Sequence, residues 1–168
     1  MRPLAAVLLA AALLSRCAQA PAEEIQPSQL PPYLRPLAGA TDIHATRNGD
    51  DATIQYKLRA CFPANAQMTE LAMQIPSYWK PRAESILNPG TPTANSRGWV
   101  DYADTSQEPH TTVRHWGGEW EDANGNILSY DFMYRTAAGQ SESCELQVSA
   151  ARYSRETVKT MLAAVPKK

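Results

Sequence analysis

Three histidines, His44, His110 and His115, and the acidic side chains around the last of them are where this chain could do chemistry. Residues 114–135 read RHWGGEWEDANGNILSYDFMYR and place Glu119, Glu121 and Asp131 near His115. An imidazole beside a carboxylate can serve as an oriented general base, or the pair can hold a metal. The enzymatic reading is a hydrolase using His115 with Glu119 or Asp131. The metal reading sets His110 and His115 with Glu108 or Glu119, but that spacing matches no specific zinc pattern. Asp122, Asn124 and Asn126 imitate the start of a calcium loop. Ile127 then stands where an EF-hand needs glycine, and Met133 where it needs a bidentate glutamate. No G-x-S-x-G elbow, H-E-x-x-H, P-loop or dinucleotide fingerprint occurs, so neither a cofactor nor a metal is expected.

Other candidates are thiols and aromatics. Tyr78, Trp79 and Lys80 open a long irregular segment, 77–98, and form a candidate binding lip, because aromatic rings suit sugars, peptides and lipids. The bland alternative puts Trp79 under the loop as a core cap, and this is the preferred reading. Cys61 and Cys144 flank apolar runs and lack a C-x-x-C motif, so they are expected to form a disulfide rather than a redox or metal pair.

The element that must position His115 and its carboxylates is a β-hairpin. Leu128, Tyr130, Phe132 and Tyr134 alternate with polar residues at the period of a half-buried strand. A two-residue turn on Asn124-Gly125 would split the aromatic residues between faces, which one core cannot satisfy. A type I turn over residues 122–125, with Gly125 left-handed in a bulge, pairs Trp120 with Leu128, Gly118 with Tyr130 and Trp116 with Phe132. His115, Glu119 and Glu121 then share the other face with Ile127, Ser129, Asp131 and Met133. That face is expected to be the solvated side of an antiparallel sheet.

The first residues read as an export signal: Met-Arg-Pro, a short apolar run, then small residues, with cleavage after Ala22 preferred to cleavage before Pro21. The apolar run is too short to span a membrane. Leu14-Ser15-Arg16-Cys17 resembles a bacterial lipobox in part, departing from it at Arg16, and would imply a lipid anchor on Cys17. Otherwise the protein is expected in the periplasm or secreted. Removing Arg2 and Arg16 with the signal takes the formal charge from −1 to −3. No basic patch of the kind nucleic-acid binding requires is present.

The organisation expected is a signal at 1–22, a proline-rich arm at 23–40 and one domain at 41–168. The fold expected is β-rich α+β, an antiparallel sheet of about five to seven strands with a C-terminal helix packed on it. A β-sandwich with an appended helix is the alternative. Asn48-Gly49 marks a second hairpin, with Ile54, Tyr56, Leu58, Ala60 and Phe62 facing a core. Residues 66–75 fit either periodicity and lean to strand; Pro81 suggests one helical turn through Leu87. Residues 99–102 and 144–150 read as strands. Ser154 caps a helix whose stripe is Val158, Met161, Leu162 and Val165.

Size, export, a disulfide and missing motifs favour a non-catalytic protein acting through contact with a protein partner, such as an envelope accessory factor or an inhibitor. A small-ligand binder is the alternative, with an apolar pocket between helix and sheet or beneath the 77–98 loop.

Overall fold

The computed structural model describes residues 21–61, 65–86, 100–104, 111–137 and 142–164. The signal segment through Ala20, Cys17, Phe62, the loop from Leu87 to Trp99, Glu108, His110, Val165 and Pro166 lie outside them. In chain order the strands are β1 (Glu23–Glu24), β2 (Thr41–Asn48), β3 (Asp51–Leu58), β4 (Lys80–Pro81), β5 (Val100–Asp104), β6 (Thr111–Glu121), β7 (Ile127–Ala137) and β8 (Leu146–Tyr153). Two helices, α1 (Asn65–Gln74) and α2 (Arg155–Ala164), complete the described elements. All strand pairs are antiparallel in a single sheet of order β1-β2-β3-β8-β7-β6-β4, with β5 also paired to β6. The fold is thus the expected β-rich α+β sheet; β1 and β4 are two-residue additions.

The β6–β7 hairpin has the bulged register. Trp120 faces Leu128, Gly118 faces Tyr130 and Trp116 faces Phe132. Gly125 has φ +79°, a conformation glycine adopts without a Cβ penalty. Asp122 closes the turn: its Oδ1 accepts from the Asn124 and Asn126 N–H groups, both at 2.9 Å. The second hairpin also forms, with Asn48 paired to Asp51 and Gly49 at φ +59°.

One face of the sheet carries the core. Ile54, Tyr56, Leu58, Trp116, Trp120, Leu128, Tyr130, Phe132, Tyr134, Leu146 and Val148 are buried in one cluster. The rings meet edge-on: Trp116 on Tyr134 at 87° and Trp120 on Tyr130 at 89°. What covers this face is the proline-rich arm. It makes two 3-10 turns, Pro27–Gln29 and Pro32–Leu34, and buries Ile25, Leu30, Tyr33, Leu34 and Leu37. The Tyr130 hydroxyl donates to the Tyr33 carbonyl. The arm is therefore integral to the core, because the apolar residues set between its prolines line up on one side.

Of residues 66–75, expected as strand, all but Ile75 belong to helix α1. Met68 and Leu71 are buried, Ala72 and Ile75 pack against the core, and Met73 is 75% exposed. That is the three-and-four spacing of a helix face; the strand pattern would have required Met73 inside. The helical turn expected from Pro81 is also absent. Pro81 lies in β4, on an edge of the sheet where its missing N–H costs no ladder bond.

Cys61 and Cys144 are bonded, 83 residues apart in sequence. They lie just beyond the Leu58–Leu146 pair and clamp that end of the β3–β8 ladder. Closing such a loop stabilises the fold by roughly 4–5 kcal/mol in the chain-entropy model. The opposite end is tied by polar contacts. Ser154 caps α2 through the Thr157 N–H, Asp51 accepts from the Ser154 N–H and the Thr157 hydroxyl, and Asn126 Oδ1 accepts from the Arg155 N–H. The first turn of α2 packs on the sheet through Val158, whereas Met161 and Leu162 stay 39% and 36% exposed. No helix among the described residues is long and apolar enough to cross a membrane.

Candidate functional site

Strand alternation sends His115, Gly117, Glu119 and Glu121 of β6 to the face opposite the core, with Ile127, Ser129, Asp131 and Met133 of β7. Cross-strand register extends this second face in rows. One runs His44–Gln55–Ser149–Asp131, and the next runs Lys57–Gln147–Met133–His115.

The half of this face near the hairpin tip is closed, contrary to the expectation of a fully solvated side. Residues 80–86 strap across it and are held by one carboxylate. Glu119, 5% exposed, accepts from the Ser85 hydroxyl and from the Ile86 N–H at 2.7 Å. Its own carbonyl accepts from the Arg82 N–H at 2.9 Å, and the Arg82 guanidinium pairs with Glu121. Ile127 and Ala151 of this face and Val158 of α2 are buried outside the aromatic core. Asp51, also on this face, ties down the first turn of α2, so the helix shares in covering this end. The Tyr153 hydroxyl is pushed up by burial, and further by the charges of Asp51 and Glu119.

The half near the disulfide stays open. A groove of about 400 Å³ is lined by Asp42, His44, Gln55, Lys57, Met133, Gln147 and Ser149, together with Tyr56 and Val148, whose side chains belong to the core. Lys57 Nζ lies between two carboxylates, 3.2 Å from Asp42 and 3.5 Å from Glu145, so one acidic charge stays in excess there. Among the described residues, the side chains of His44, Gln55, Gln147 and Ser149 make no hydrogen bond. Asp42, at φ +50°, accompanies a register shift between Thr41 and His44 that breaks the regular edge of β2.

Beyond Met133 the row reaches His115, whose Nδ1 lies 3.4 Å from Asp131 Oδ1. Burial pushes the Asp131 carboxyl above the usual value, and His115 works against that shift. Of the two carboxylates paired with His115 in the sequence reading, the structure brings Asp131 to it and spends Glu119 on the strap. Two of the three calcium-like side chains are spent too, since Asp122 Oδ2 takes the Asn126 amide at 2.8 Å and Asn126 Oδ1 takes the Arg155 N–H. Among the described residues no group of three or more histidine, cysteine, aspartate or glutamate side chains could hold a metal ion.

The sequence-derived lip divides. Trp79 is 3% exposed and packs edge-on against Tyr33, with ring centroids 5.8 Å apart. Tyr78 is 55% exposed and Lys80 is exposed, its ammonium donating to the Ser77 carbonyl at 2.7 Å. Of the two places expected for a small-ligand pocket, the seat of the C-terminal helix is filled at its first turn by Val158, 4% exposed, and the 77–98 loop lies outside the described residues from Leu87 onward.

No family model, curated protein or solved structure matches this chain. The groove was not found from the sequence. Its signal is the polar alternation of β3 and β8, Gln55 and Lys57 against Gln147 and Ser149, which by itself does not state that the two strands pair.

Proposed function

We propose that this is an exported, non-catalytic protein that acts by binding a protein partner, as an envelope accessory factor or an inhibitor does, and that the open half of the second sheet face is its contact surface. The observation that carries the reading is the groove itself. Four polar side chains on three adjacent strands stand together with no internal hydrogen bond among the described residues, on a platform held by a disulfide at one end. Unused donors and acceptors on a rigid sheet favour recognition over folding as their role. The disulfide and the apolar first residues support export.

The test is a photo-crosslinking amino acid at position 55, 149 or 156 in the chain expressed with its own first residues. Adducts of one discrete mass are expected from positions 55 and 149 and none from 156, which lies on α2. Equal adducts from all three, or none from 55 and 149, would remove this surface.

The His115–Asp131 pair supports a second reading, a hydrolase in which Asp131 orients His115 as a base acting on a water at the end of the groove. In that case His115→Gln abolishes turnover of a chromogenic ester panel without changing thermal stability. No turnover by the wild-type protein sinks the idea.

A further inference from the structure

We infer that the proline-rich arm is an exchangeable element and that the partner it fits is a second copy of this chain. In the dimer each arm lies on the core face of the other copy's sheet. The groove is on the opposite face, so this goes beyond the contact-surface reading and does not depend on it. The first observation is that the arm is a preformed unit. Arg35 donates through Nε to the Leu30 carbonyl and through Nη2 to the Ser28 carbonyl, both at 3.1 Å, and so ties the two 3-10 turns together. A separate set of contacts holds the arm on the sheet. β1 pairs with Thr46 and Arg47, and the Ile25 N–H donates to the Ala45 carbonyl at 2.9 Å. The Arg47 guanidinium donates to the Gln29 carbonyl at 2.7 Å, and the Tyr130 hydroxyl to the Tyr33 carbonyl. An identical arm arriving from another copy remakes every one of these contacts, and the apolar burial with them.

What differs between the closed and the exchanged chain is the hinge, residues 38–43. In the closed chain the arm doubles back onto β2 through a tight turn. There the Ala40 N–H donates to the Leu37 carbonyl at 3.2 Å, and Gly39 has φ +82°. Asp42 follows at φ +50°, the one non-glycine residue with positive φ among those described. Its bulge sets Asp42 and Ile43 together opposite Tyr56. Crowding between Cβ and the backbone disfavours that conformation for residues other than glycine. Straightening the hinge removes the left-handed aspartate and the bulge. It sacrifices little burial, because Ala38, Gly39, Thr41, Asp42 and Ile43 are exposed. Short hinges under strain are the ones that open into exchange.

The topology gives the opened arm a way out. Among the described strands β1 is the one outside β2, and β1 belongs to the arm itself. The arm therefore leaves past a sheet edge without crossing its own core. Extended, residues 38–42 span roughly 17 Å, more than three strand spacings, which reaches a copy lying beside that edge. Each dimer opens two hinges, so a change in hinge strain counts twice. A substitution that disfavours the closed hinge about tenfold favours the dimer about a hundredfold.

The experiment follows sedimentation velocity over a range of concentrations for the intact disulfide-bonded protein, Gly39→Val and Asp42→Gly. A Cβ at Gly39 meets no atom within 4 Å, so valine there acts through backbone strain and not through a clash. The expected result is a concentration-dependent dimer in the wild type. Gly39→Val should associate about a hundredfold more tightly, and Asp42→Gly more weakly, because glycine relieves the strain of the closed chain. The pair Glu24→Cys, Thr46→Cys, which are cross-strand partners of β1 and β2, then reports whose arm is seated. On a denaturing, non-reducing gel the dimer fraction should show this bond joining two chains. Bonds within single chains in that fraction would mean an association that leaves the arms at home, and would overturn the exchange. So would a folded Gly39→Val protein that stays monomeric throughout, or tighter association of Asp42→Gly than of the wild type. Should Gly39→Val fail to fold, the cysteine pair in the otherwise unaltered chain decides alone. A bond between chains supports the exchange, and bonds solely within chains at every concentration overturn it.

Discussion

The two faces of the β6–β7 hairpin are built from the same eleven residue pairs, yet they differ in how they are closed. The core face is sealed by apolar burial: aromatic rings interlock, and the proline-rich arm and α1 lie over them. The second face is sealed only near the tip, by the polar tie between Glu119 and residues 80–86 and by the first turn of α2. Toward the disulfide it is open among the described residues, with polar groups unused. Alternation in a strand thus places the two functions of the sheet on the two sides of one backbone. Rigidity comes from one face and accessibility from the other.

The strongest way to break the contrast is to truncate one side chain on each face. Phe132→Ala is expected to destabilise the fold by roughly 3–5 kcal/mol, since a fully buried ring leaves a cavity under the arm. Gln55→Ala, one strand beyond β8 on the open half, should change stability by less than about 0.5 kcal/mol. Chemical denaturation of both variants decides it; similar losses would mean that the open half is covered in solution.

Replacing Cys61 and Cys144 together with serine should cost roughly 2–5 kcal/mol. The loss should be visible as a lowered denaturation midpoint, and dithiothreitol should reproduce it on the wild-type protein. An unchanged midpoint would show that the clamp contributes nothing to the platform.

Glu119→Ala is expected to cost roughly 1–3 kcal/mol by leaving the buried Ser85 hydroxyl and Ile86 N–H without their acceptor. Amide exchange at Ile86 should accelerate while exchange at Phe132 does not. Equal acceleration at both would join the tip half of the second face to the core as one cooperative unit.

The smallest effect separates two carboxylates. Asp131, raised by burial, binds its proton more tightly in the folded state than in the unfolded one. Its contribution is therefore full below the ordinary carboxylate value of about 4, and it is lost as pH rises through the raised folded value. At Asp122 burial acts upward, but hydrogen bonds from Asn126 and Asn124 and the charge of Arg152 outweigh it and hold the carboxyl low. Its contribution is present above the ordinary value and fades as pH falls through the lowered one. Stability measured from pH 3 to 7 should thus shift in favour of Asp131→Asn, relative to wild type, as pH rises. It should shift against Asp122→Asn over the same range. Parallel pH profiles for the two variants would contradict this assignment.

The hairpin register was legible because Trp116, Trp120, Tyr130, Phe132 and Tyr134 had to share a face, and one turn geometry allows it. The disulfide was legible because two cysteines of an exported chain flank apolar runs. Helix α1 was not, since residues 66–75 satisfy both periods and the choice depends on the arm that waits beneath Leu71. The groove was not legible for a related reason. Gln55, Ser149 and Asp131 become neighbours only through β3–β8 and β7–β8 pairing, and no local pattern states that register.

The strand order carries a consequence for how the chain is made. β8, the last of the described strands in chain order, lies in the middle of the sheet between β3 and β7. Before it arrives, the β2–β3 and β6–β7 hairpins are separate pieces with no ladder between them. The arm must wait for Tyr130, 97 positions after Tyr33, to complete its seat. A chain cut short before Leu146 therefore loses the middle of its sheet and not an edge, so quality control meets either two loose hairpins or the finished fold.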